Sequence, residues 1–111
     1  VGPELGDALG IIRTQELLEA RRIDGGEQFF TRAVDFGFSK NAKESFEKWG
    51  HDEVLSDVVR VIRMFRPDVI ITRFPPTREA GHGHHEASAI LAAEAFDLAG
   101  DGKSIATVDA D

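Results

Sequence analysis

The sequence predicts an α/β fold with a largely parallel sheet. Segments of helical periodicity alternate with short runs rich in β-branched and aromatic residues. In addition, three of the four histidines cluster in Gly81-His82-Gly83-His84-His85-Glu86, where one such run gives way to a helical pattern. The end of a strand leading into a helix is where open α/β proteins place their chemistry.

Each element has its own warrant. Leu5, Leu9, Ile12 and Leu17 form an apolar stripe at helical spacing over Leu5–Arg22, which Asp24-Gly25-Gly26 stops. Gln28–Val34 is aromatic and β-branched and predicts a short strand. Asp35–Ser39 reads as a loop, and Ser39 or Asn41 can cap a short helix through Trp49. Asp52 is the expected N-cap of a helix over Glu53–Phe65, and Pro67 marks its end. Asp68–Arg73 predicts a second strand, with Val69-Ile70-Ile71 at its centre. After an irregular loop over Phe74–Gly81, the last helix runs from about Glu86 to Leu98. Thr107-Val108-Asp109-Ala110-Asp111 starts strand-like and stops. So few strands predict a segment of a larger domain, with a preceding strand missing.

Composition narrows the function classes. The 111 residues suit one small domain, and 41% apolar residues suit a folded one. A net charge of −7 and the lack of a basic stripe oppose a nucleic-acid partner. With no cysteine, thiolate metal sites and disulfides are excluded. No apolar run approaches the roughly 20 residues that span a bilayer. Val1–Gly6 shows no leader pattern, and a targeting signal of a longer parent would not be visible here; a soluble protein is expected, cytoplasmic or exported, with the compartment unknown. A homo-oligomer is left open.

Imidazole is the commonest protein metal ligand and the usual acid–base group near neutral pH. His82 and His85 stand two residues apart, so both can serve one crevice, one on a metal and the other moving a proton. A catalytic zinc site takes three protein ligands and leaves a position for water. The plain alternative is a glycine-rich solvated loop with incidental histidines. His51 is expected to be structural or solvent-facing, and His84 carries no assigned role.

Arg66-Pro67-Asp68-Val69-Ile70-Ile71-Thr72, Gly81–Ala87 and Ala93-Glu94-Ala95-Phe96, together with the upstream blocks Gly2–Gly6, Ile12–Leu17 and Asp35–Lys40, resemble the LmbE-like, PIG-L-type N-deacetylase family. The resemblance covers nearly the whole chain. It implies a Rossmann-like, three-layer α/β fold with a mostly parallel sheet, present here as an incomplete segment of a single domain over residues 1–111. It also implies zinc, with another divalent metal allowed, and removal of acetyl groups from N-acetylglucosamine-type or related N-acyl substrates. By position, His85 matches a zinc ligand and His82 the general acid that also steadies the oxyanion. Arg13 resembles a substrate contact, and Asp35 a sugar-hydroxyl contact. The plain alternatives are a helix-surface ion pair for Arg13 and a loop cap or Asx-turn for Asp35.

The chain departs from the family pattern in three places. Gly83-His84 replaces the usual Pro-Asp between the histidines. Ala80 stands where some relatives carry a tyrosine. The family's first motif, His-Pro-Asp-Asp-Glu, with two zinc ligands and the general base, is absent. The expectation is therefore a zinc-dependent deacetylase in the full-length parent and an inactive segment alone. The rival readings are a non-catalytic carbohydrate-binding or scaffold domain of the same fold, and a metal-dependent amidohydrolase of another amine.

Overall fold

The structure is a computed structural model and describes residues 6–100. Among these residues the order is α1 (Gly6–Asp24), α2 (Ala42–Trp49), α3 (His51–Phe65), a 3-10 turn (Arg78–Ala80) and α4 (Gly83–Gly100). No strand occurs among the described residues, so the predicted α/β, Rossmann-like layering with a parallel sheet is corrected to a small helical fold. The strand-like run Thr107–Asp111, like the Gly2–Leu5 block, lies outside the described residues.

The missing strands have a physical reason. Around Gln28–Val34 the backbone donors go to side chains: Arg32 N–H donates to Asp57 Oδ2 at 2.8 Å and Ala33 N–H to Thr31 Oγ1 at 3.3 Å. A strand exists only through a ladder to a neighbour. Asp68–Arg73 has the right residues but no described segment to pair with, and Val69 and Ile71 stand exposed.

The chain divides between Phe30 and Thr31 into two compact units. The first contains α1. Its apolar stripe is not buried: no α1 residue is, and Ile11, Leu17 and Leu18 are exposed. The helix stops as its sequence predicts. Gly25, at φ +77°, donates its N–H to Arg21 O at 2.7 Å, and Gly26 N–H donates to Asp24 Oδ1 at 2.8 Å. Arg21 donates to both oxygens of Asp24, and this hydrogen-bonded fork holds the Asp24 carboxyl below its ordinary range.

The second unit is built on α4, which packs against α2 and α3. Val54, Leu55 and Val59 of α3 meet Leu91 and Ala95 of α4 in the core, with Phe46, Trp49 and Ile62 around them. Ala87 and Ala95 are fully buried, and their small side chains let neighbouring backbones approach. Asn41 caps α2 by accepting from Glu44 N–H at 3.0 Å. The expected Asp52 cap of α3 is displaced. Gly50, at φ +83°, ends α2 by donating to Phe46 O and opens α3 by accepting from Val54 N–H. At the other end of α3, Arg66 adopts the left-handed conformation and donates its N–H to Ile62 O at 2.7 Å, before Pro67.

Candidate active site

The histidine cluster sits at the start of α4. His82 O accepts the first helical hydrogen bond, from Glu86 N–H at 3.1 Å, so the helix begins about three residues before the sequence suggested. His84 and His85 therefore lie on its first turn. Gly83 is buried and donates its N–H to Ser39 O at 2.8 Å. A Cβ there would collide with Ser39 Oγ and Asn41 O. Glycine at this position lets the loop before α2 lie directly on the histidine turn.

His82 has a defined hydrogen arrangement. The backbone N–H of His84 donates to His82 Nδ1 at 3.1 Å. A ring nitrogen that accepts carries no hydrogen, so the neutral ring has its N–H at Nε2. Phe38 meets the His82 ring edge to face, with centroids 5.3 Å apart.

The His85 ring lies 5.3 Å from that of His82, centroid to centroid, and stacks on Phe74 at 3.8 Å and 10°. The loop after Thr72 thus orients His85. Among the described residues, no three His, Cys, Asp or Glu side chains converge as a metal site. These residues therefore do not fit the three-ligand centre that catalytic zinc requires, and His85 offers at most one ligand.

The residue without an assigned role is the best connected. His84 Nε2 donates to Asp35 Oδ1 at 3.2 Å, since a carboxylate only accepts. In that neutral ring Nδ1 accepts from Ser45 Oγ at 2.9 Å. Ser45 Oγ lies 2.9 Å from Ser39 Oγ, and both serines are fully buried. The His84 ring also packs against Phe36 and Trp49, each with its centroid 4.7 Å away, and those two rings meet each other at 6.3 Å.

Asp35 closes an Asx-turn by accepting from Gly37 N–H at 2.9 Å through the same Oδ1. That bond, and secondarily the one from His84, holds its carboxyl below the ordinary aspartate range. Both contacts fall on one oxygen, so Oδ2 remains available, and the side chain is largely exposed. An open groove of about 660 Å³ is lined by Phe36, Trp49, Lys48, Glu47 and residues 32–34, so both chain neighbours of Asp35 line it while Asp35 itself does not. Its size is that of a small-molecule site.

Of the residues singled out from the sequence, the structure places His82 and His85 side by side and brings Asp35 to them through His84. Arg13 lies on α1 and donates to Glu16 at 2.7 Å, an exposed i,i+3 pair. Ser45 and Phe74, and the part Ser39 plays beside Ser45, were missed, because no local pattern marks these contacts and that of Ser45 with His84 spans 39 positions.

No helix among the described residues is long and apolar enough to cross a membrane. Neither the curated proteins nor the solved structures compared with the chain give a match. A family model described as PIG-L, GlcNAc-PI de-N-acetylase, matches residues 2–96. That span takes in α1 to α3, the histidine turn, most of α4 and Asp35, and the chain belongs to the LmbE-like PIG-L family.

Proposed function

We propose that the full-length protein hydrolyses the amide of an N-acetylglucosamine-type or related N-acyl amino sugar, releasing a carboxylate and a free amine. Family membership supports deacetylase chemistry. The observation that carries the reading is the donation from His84 N–H to His82 Nδ1. It leaves His82 with an Nε2–H to aim at the oxygen that becomes negative when the amide carbonyl is attacked. Such a fixed donor is the usual device for stabilising a tetrahedral intermediate. This contact supports the oxyanion-donor role directly.

Asp35 Oδ2 is the proposed acceptor for a sugar hydroxyl, and the groove floored by Phe36 and Trp49 takes the ring. Arg13 is proposed as a further substrate contact, which requires it to leave Glu16. Zinc is the proposed metal, another divalent ion serving as substitute, and His85 is the ligand assigned to this segment. The lack of a three-ligand cluster among the described residues favours one second reading, a carbohydrate-binding domain without catalysis.

The test is amine release from a panel of N-acetylglucosamine derivatives by the zinc-loaded full-length protein. His82→Ala should lower kcat by about 10²- to 10³-fold with metal content unchanged. His82→Gln keeps an N–H donor and should recover part of that loss. His85→Ala should lose bound metal. Full metal content and turnover in His85→Ala would remove it from the ligand set. Sugar binding without amine release from any substrate would decide for the second reading.

A further inference from the structure

We infer that His84 is a positioning residue, which grips Asp35 by one carboxylate oxygen so that the other faces the substrate. The inference rests on the sugar-hydroxyl role proposed for Asp35 and extends it to the His84 side chain, which has no other assigned part.

Asp35 lies in a loop, largely exposed, and a carboxylate there samples several rotamers unless something holds it. Two donors converge on its Oδ1: Gly37 N–H at 2.9 Å and His84 Nε2 at 3.2 Å. The first is local and fixes the side chain only to its own turn. The second ties it to α4. His84 can serve as an anchor because it is itself fixed by three contacts. Ser45 Oγ bonds its Nδ1, and Phe36 and Trp49 pack against the ring. The supporting hydroxyl pair, Ser39 and Ser45, is fully buried, so water does not compete for it. The result is a continuous set of contacts from the helix-packed interior to one exposed carboxylate, whose chain neighbours Val34 and Phe36 line the groove. Orientation of this kind lowers the cost of binding because the geometry exists before the ligand arrives. Gly83 completes the arrangement, since any Cβ at that position would push Ser39 away.

The experiment compares full-length wild type with His84→Phe, which keeps a ring against Phe36 and Trp49 but donates nothing, and with His84→Gln, which keeps an N–H donor. Amide hydrogen exchange is read first. In His84→Phe, Gly37 N–H should exchange about tenfold faster, while the amides of α2 and α4 stay as in wild type. With an N-acyl amino sugar as substrate, KM should rise about 3- to 10-fold, the size of one net hydrogen bond, with kcat within about twofold. Bound metal should not change. In an Asp35→Ala background, His84→Phe should raise KM no further, and His84→Gln should restore part of the loss in the Asp35 background. Unchanged exchange at Gly37 overturns the inference, as does faster exchange throughout α2 and α4, which marks a packing role. Additive KM effects overturn it too. If wild type releases no amine, the proposed reaction fails, and the exchange measurement still decides the role of His84.

Discussion

Glu86 Oε1 accepts a hydrogen bond from the backbone N–H of Ala42 at 2.6 Å, joining the first turn of α4 to the first turn of α2 across 44 positions of sequence. Ala42 N–H is one of the donors that a helix start leaves without an intrahelical partner. Asn41 satisfies a second such donor, Glu44 N–H, and Glu44 in turn accepts from Lys40 N–H at 2.9 Å. The N-terminus of α2 is thus closed partly by its own sequence and partly by a carboxylate from the histidine turn. Glu86→Ala should cost about 1 to 2 kcal/mol, the scale of a helix cap carrying charge. Urea denaturation checks this, and a midpoint unchanged from wild type would show that water replaces the carboxylate without loss.

Gly83→Ala should be worse, although the change is a single methyl group. The added carbon would overlap Ser39 Oγ and Asn41 O and lie 2.6 Å from Ser39 Cβ. Backbone and a buried serine cannot swing aside as an exposed side chain does. Overpacking of this kind costs about 1 to 3 kcal/mol. Gly100→Ala, with open space around the added carbon, is the control and should be near neutral. Equal losses at the two positions in thermal melts would refute the steric account.

Arg32 and Asp57 form a forked pair, Nε to Oδ2 at 2.9 Å and Nη2 to Oδ1 at 2.8 Å, with Arg32 N–H also donating to Oδ2. The Arg32 side chain, by its hydrogen bonds, holds the Asp57 carboxyl below its ordinary range. A carboxyl lowered in the folded state stabilises above its unfolded pKa of about 3.9, and the contribution is lost as pH falls through the folded value. Asp57→Asn should therefore destabilise by about 1.5 to 3 kcal/mol at pH 7 and by progressively less below about pH 4. A mutant deficit that stays constant from pH 7 to pH 3 would contradict the assignment.

His51 has the opposite sign. Its Nε2 donates to Glu94 Oε1 and its Nδ1 to Asp52 Oδ1, both at 2.8 Å. The Glu94 bond, against the opposing effect of partial burial and with help from Asp52, raises the imidazole pKa above its usual value. Its stabilisation is complete below about pH 6.5 and disappears as pH rises through the raised folded value. Both partners are partly exposed, so the effect should be modest. Wild type should lose about 2 to 4 °C more in Tm between pH 6 and pH 8.5 than Glu94→Gln does. Parallel Tm profiles would remove this bridge from the stability of the α3–α4 pair.

Helix ends were legible because the devices that set them are local. Asn41, Gly25 and Pro67 each act on a neighbour within one turn. The start of α3 was misplaced because Gly50 serves two helices at once, which no capping residue in the sequence announces. The strands were misread for a different reason. Val69-Ile70-Ile71 has the composition of a strand, but a ladder needs a partner that composition cannot supply. The same division holds at the site. His82 and His85 meet because they are close in sequence, whereas His84 reaches Asp35 across 49 positions and Ser45 across 39. Those contacts depend on how α2 lies against α4, which is settled by packing.

The segment over Asp68–Arg73 has a practical consequence. Val69 is 73% and Ile71 87% exposed, and their backbone forms no ladder. An exposed apolar run that forms no ladder among the described residues is a surface on which like segments can add to one another. Asp68 and Arg73 flank it and place charge at both ends, as gatekeeper residues do.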